Sequence, residues 1–136
     1  MSYAMSGALQ AAIYEALSTD AALAALVGSD IYDAVPTGTV PETWVGLGRE
    51  RALDASDQTG AGALHTIEIS IFTTQPGFAG AKAVAAAVSD VLHDADLSLT
   101  RGHLVFMRFD RAQARKIDDN AGREILMRFR ARVSDE

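Results

Sequence analysis

Two alternating runs close the chain, His103 to Arg115 and Gly122 to Ser134, joined by the turn-rich stretch Asp118-Asp119-Asn120-Ala121. In the second run Ile125, Met127, Phe129, Ala131 and Val133 fall on one side and Arg128, Arg130 and Arg132 on the other, the period-2 pattern of a half-buried strand. The pattern predicts a hairpin with a cationic outer face. At about 3.3 Å per residue each arm spans roughly 40 Å, whereas a domain of this length has a radius of gyration of about 14 Å. Strands average about 5 or 6 residues, so arms this long carry their edges and tip beyond their own core and onto a partner.

Upstream, Leu9, Ile13 and Leu17 recur every fourth residue behind Ser6, which predicts a capped amphipathic helix ending near Ser18 or Thr19. Asp20 reads as the cap of a short second helix carrying Leu23, Leu26 and Val27, stopped by Gly28. Ile31 to Val35 and Trp44 to Gly48 are short strand candidates, separated by Pro36 and Pro41. Arg49 to Gly62 shows no hydrophobic period and reads as a loop long enough to need a purpose. Ala63 to Thr74 alternates, with Ile67, Ile69 and Ile71 inward. Phe78 to Asp94 then places Ala81, Val84, Val88, Val91 and Leu92 on one helical stripe. Leu97-Ser98-Leu99 is a connector or very short strand. This order predicts one α+β domain over residues 1–136: a mainly antiparallel sheet with a long C-terminal hairpin, packed by two main helices.

Charge sharpens the picture. The formal net charge of −6 argues against binding of free DNA or RNA, because phosphate neutralisation needs a cationic surface. Residues 1–48 hold Glu15, Asp20, Asp30, Asp33 and Glu42 and no Lys or Arg, while residues 101–132 hold nine basic residues against four acidic ones. If the two lie on opposite flanks, copies can associate head to tail and close a ring; an ordinary mixed-charge surface is the competing explanation. No cysteine is present, so disulfides and thiolate metal sites are excluded. The N-terminus has no basic-then-apolar segment and no run of 18 apolar residues occurs, which predicts no signal peptide and no membrane span.

Candidate chemistry is sparse. His65, His93 and His103 have no HxxxH or HExxH spacing, and Asp118-Asp119-Asn120 lacks the glycine and Glu of a calcium loop. Gly46-Leu47-Gly48 and Gly60-Ala61-Gly62 lack what a phosphate cradle needs, and Ser70 sits in no nucleophile elbow. No catalytic, cofactor or metal residue is assigned, and no enzyme activity is expected. The candidate residues for a subunit or partner interface are Arg128, Arg130 and Arg132 on the hairpin, with Arg49, Arg51, Asp54 and Asp57 in the loop.

In order along the chain, Leu9-Gln10-Ala11-Ala12-Ile13-Tyr14, Leu23-Ala24-Ala25-Leu26-Val27-Gly28, Ile31-Tyr32-Asp33-Ala34-Val35-Pro36, His65-Thr66-Ile67-Glu68-Ile69, Gly77 to Leu92 and Phe129-Arg130-Ala131 resemble the tail terminator, or tail completion, family of long-tailed phages, prophages and gene transfer agents. The resemblance implies a structural protein that forms a hexameric ring at the head-proximal end of the tail tube. There it would end tube growth and join the tail to a head connector or stopper protein, with DNA passing through the pore without specific binding. It also implies assembly in the bacterial cytoplasm followed by residence in the tail neck of the particle. Two other functions compete: a tail tube subunit or head–tail adaptor of the same particle, and a small-molecule binding module or enzyme with a pocket beneath the Arg49 to Gly62 loop.

Overall fold

The computed structural model describes residues 3–56, 61–117 and 122–135. Helices α1 (Ser6–Thr19) and α2 (Ala21–Val27) lead into strand β1 (Ile31–Tyr32), followed by β2 (Thr43–Asp54), β3 (Gly62–Thr73), helix α3 (Ala79–Leu92), β4 (His103–Ile117) and β5 (Gly122–Ser134). The strands form one sheet in the order β1-β2-β3-β5-β4. Only the β1/β2 pair is parallel. All three helices pack on one face of this α+β fold, and the opposite face carries no helix among the described residues.

The hydrophobic periods set this arrangement. Leu9, Ile13 and Leu17 of α1, Leu23 of α2, and Ala81, Val84, Val88 and Leu92 of α3 are buried against Ile67, Ile69 and Ile71 of β3 and Ile125, Met127, Phe129, Ala131 and Val133 of β5. Both sets follow the period of their element, 3.6 in the helices and 2 in the strands. The two central strands therefore bury one face almost throughout, with Arg123 half-buried at the start of β5.

Several local expectations are corrected. Asp20 caps α2 as expected, its carboxylate accepting from the Leu23 amide at 2.9 Å, and Gly28 follows with φ +59°. Ser6, however, is the first residue of α1 rather than its cap. Met5 holds that position without a side-chain bond, and the Ser6 hydroxyl donates instead to Glu50 at 2.7 Å. A distant carboxylate has displaced the local cap.

The first six residues of the predicted loop from Arg49 to Gly62, Arg49 to Asp54, are strand. β2 continues to Asp54, and the connection begins only there. A bulge between Leu47 and Glu50 shifts the alternation of β2, which hides the continuation from a period-2 search. β1 is shorter than expected, because the chain bends at Asp33 and Ala34 and Val35 is 74% exposed. Leu97 and Leu99 are not a strand; they pack on the core from an irregular segment. The predicted hairpin turn at 118–121 lies outside the described residues.

Candidate assembly surface

Cross-strand register places the basic residues. Residues directly opposite one another in an antiparallel pair share a face, so each face of the sheet can be followed strand by strand. On the face without helices, Arg51 of β2 stands opposite Thr66, Thr66 opposite Arg130, and Arg130 opposite Arg108. In the next row Glu68 stands opposite Arg128, and Arg128 opposite Arg111; Arg49, from the β2 bulge, lines the same hollow as Glu68 and Arg128. Farther along, Phe72, Glu124 and Arg115 align, and at the other end Leu64, Arg132 and Phe106. Eight arginines thus occupy one face of one sheet in a chain of net charge −6.

Few of these charges are neutralised within the subunit. Arg115 pairs with Glu124 at 2.9 Å and Arg128 lies 3.9 Å from Glu68. Arg132 donates to the Ala55 carbonyl at 3.0 Å, which ties β5 to the connection after β2. Among the described residues, Arg49, Arg51, Arg108, Arg111 and Arg130 meet no carboxylate within 4.0 Å. Arg130 against Arg108 and Arg128 against Arg111 are like-charge cross-strand pairs, which destabilise a sheet. At about 6 Å in water each such pair costs about 0.7 kcal/mol before screening. The subunit alone gives no return for that cost.

The expected interface residues separate in two. Arg49, Arg51, Arg128, Arg130 and Arg132 come together on this face. Asp54 does not join them: it stands opposite Ala63 on the helix side and is bound by Ser56, whose hydroxyl and amide hold its carboxyl below the usual carboxylate range. Asp57 lies outside the described residues.

Arg108, Arg111 and Arg115 were missed by the sequence. Their spacing of three and four would split them between the faces of a regular strand. The β4 bulge between Phe109 and Arg111 inserts Asp110 and resets the phase, so that all three share a face.

β4 is the outermost strand, and its outer edge changes character along its length. Up to Phe109 the edge is plugged: the Asp94 amide donates to the Met107 carbonyl at 2.8 Å, and the Phe109 amide donates to Nδ1 of His93 at 3.0 Å. Beyond that plug, Asp110 to Lys116 is exposed, with β5 on one side and no strand on the other among the described residues. Natural edges are blunted by charge and bulges, and this stretch carries both.

At the opposite flank, Glu50 sits on the helix face of β2 and accepts from Tyr3 (2.6 Å), Ser6 (2.7 Å) and His65 Nδ1 (2.8 Å). His65 is fully buried and stacks beneath Tyr3 at 6.3 Å. Burial pushes the Glu50 carboxyl up, but the bonds from Ser6, Tyr3 and His65 outweigh it and leave the pKa below the ordinary value. This cluster clamps the start of α1 to β2. No group of three His, Cys, Asp or Glu able to hold a metal occurs among the described residues. A hollow of about 400 Å³ on the arginine face, floored by the stacked rings of Trp44 and Phe72 at 4.4 Å, is rimmed by Asp33, Arg49, Glu68, Arg115 and Glu124. Its polar groups already satisfy one another in part, as in Arg115 to Glu124 and Ser70 to Glu124, each at 2.9 Å.

Residues 11–134 match the family model of the tail completion protein gp17. A solved structure described as the virion of a native gene transfer agent (GTA) particle contains a chain 57% identical to this one, superposing with a TM-score of 0.93 over 98% of this chain and 99% of that one. No curated protein matches. The chain belongs to the tail completion protein gp17 family and has a structural role of the phage-tail type.

Proposed function

We propose that this protein is a tail terminator: a ring, hexameric in the simplest case, at the head-proximal end of a tail tube. It ends tube growth, joins the tail to a head connector or stopper protein, and lets DNA pass without specific binding. It assembles in the bacterial cytoplasm and resides in the neck of a phage-like or gene transfer agent particle; a related chain belonging to the virion of a gene transfer agent supports residence in such a particle. The observation that carries this reading is the Asp110 to Lys116 stretch of β4, an exposed outer edge in a member of a tail completion family. Its unpaired outer backbone groups are a surface to which another chain can add a strand, and its charges restrict which chain that is.

Catalysis has no part in the proposal. The runner-up functions are a tube subunit or head–tail adaptor. Electron microscopy of the purified protein separates them: a terminator gives single closed rings or free subunits, whereas a tube subunit gives long cylinders when concentrated. Particles lacking the protein should carry tails of uncontrolled length without heads, and normal joined particles in its absence would refute the terminator role.

A further inference from the structure

The two edges of the sheet carry opposite charge. At one edge Asp30 and Asp33 flank β1; at the other, Arg111, Arg115 and Lys116 lie on β4. Four strand spacings of about 4.8 Å separate them, roughly 19 Å, against a screening length of about 8 Å at physiological salt. The edges therefore do little to neutralise each other within one subunit. Charges of opposite sign also lie at each edge: Arg49 lines the same hollow as Asp33, Asp110 sits in the β4 bulge, and Glu124 pairs with Arg115 at 2.9 Å, which leaves Arg111 as a cation without a carboxylate partner among the described residues.

The edges also match in height. Following register across the sheet, Asp30, one residue before Ile31, is level with Trp44, Phe72, Glu124 and Arg115. Asp33, one residue past β1, is level with Leu47, Ile69, Met127 and Ala112, next to Arg111. Direction matches too. β1 runs with β2, and three antiparallel steps make β4 run against it, so a neighbouring copy in the same orientation sets its β1 antiparallel to β4.

Resting on the ring reading above, we propose that the β4 edge of one copy docks on the β1 edge of the next, with Arg111 and Arg115 facing Asp33 and Asp30. This contact is heterologous, so repetition closes a ring or extends a filament. It also gives the bent Asp33–Val35 segment a strand to lie against, in the span where the sequence pattern continues β1 but the isolated subunit does not.

The test is a charge swap in the full chain, read by sedimentation velocity at low salt. Arg111 and Asp33 are exposed, so both variants should keep the wild-type melting temperature. Arg111→Glu and Asp33→Arg should each weaken self-association about tenfold, since like charges at a contact are strongly penalised. The chain carrying both changes should regain it, each reversed edge now meeting a reversed partner. Equal association of all four chains, or no association of the wild type, overturns the proposal; tail length in particles lacking the protein decides the terminator role separately. An Arg111→Glu chain that associates normally but loses affinity for duplex DNA also overturns it and gives the edge to nucleic acid.

Discussion

The two arms of the C-terminal hairpin are nearly equal in length and paired throughout, yet they differ in what surrounds them. β5 lies between two strands and buries every second side chain under the helices; Phe129 is fully buried. β4 has β5 on one side only, and its Phe109, directly opposite Phe129 and in edge-to-face contact at 5.8 Å, is 39% exposed. One arm builds the subunit and the other presents it. Alternation in sequence marks both as strands, but only neighbours decide which residues a strand buries.

Mutations sharpen this contrast, beginning with the largest effect. Phe129→Ala should cost about 3–5 kcal/mol of unfolding free energy, the range for a buried phenylalanine. Phe109→Ala, half solvated, should cost about 1–2 kcal/mol, from partial burial and one ring contact. Urea denaturation of both variants measures the difference, and equal losses would erase the distinction between the arms.

Next comes the Glu50 clamp. Glu50→Ala removes the acceptor shared by Tyr3, Ser6 and buried His65, with an expected loss of about 2–4 kcal/mol. Because the Glu50 pKa is lowered in the folded state, its stabilisation is fully present above the ordinary carboxylate value of about 4.3 and is lost as pH falls through the folded pKa. Acid denaturation followed from pH 6 to pH 2 should show this segment of the curve flattened in Glu50→Gln relative to wild type.

The smallest effects lie on the arginine face. Arg128→Glu sets a second carboxylate beside Glu68 and should cost about 1 kcal/mol. Arg130→Glu, exposed and facing Arg108 across the strands, should be neutral within about 0.5 kcal/mol or slightly stabilising. Thermal melts at low salt order the two. A larger loss at Arg130 than at Arg128 would mean the uncompensated arginines are structural.

Much of the fold was legible because its stripes are regular. The Leu9-Ile13-Leu17 and Ala81-Val84-Val88 spacings, the Ile67-Ile69-Ile71 alternation and the Asp20 cap all appear in the structure where their periods place them. Legibility failed where geometry resets the period. The bulge after Leu47 concealed the second half of β2, and the one after Phe109 concealed that Arg108, Arg111 and Arg115 join Arg128, Arg130 and Arg132. It failed again where a distant group decides, as when Glu50 claims the Ser6 hydroxyl. The hairpin arginines could be read as one face of a strand, but the extension of that face across four strands exists only in the register. Grouping Asp54 with them followed from nearness in sequence, and the pleat sends it to the other side.

The central claim is that the outer edge of β4 is left unfinished in the subunit so that another chain completes it. Hydrogen exchange of the backbone amides from Asp110 to Lys116, compared between free subunit and assembled ring, tests this most directly. The account predicts that, within this stretch, the amides pointing away from β5 exchange fast in the free subunit and are strongly protected in the ring, with the β5 amides of Ile125 to Val133 slow in both. Exchange over Asp110 to Lys116 that is equally fast in both states would contradict it.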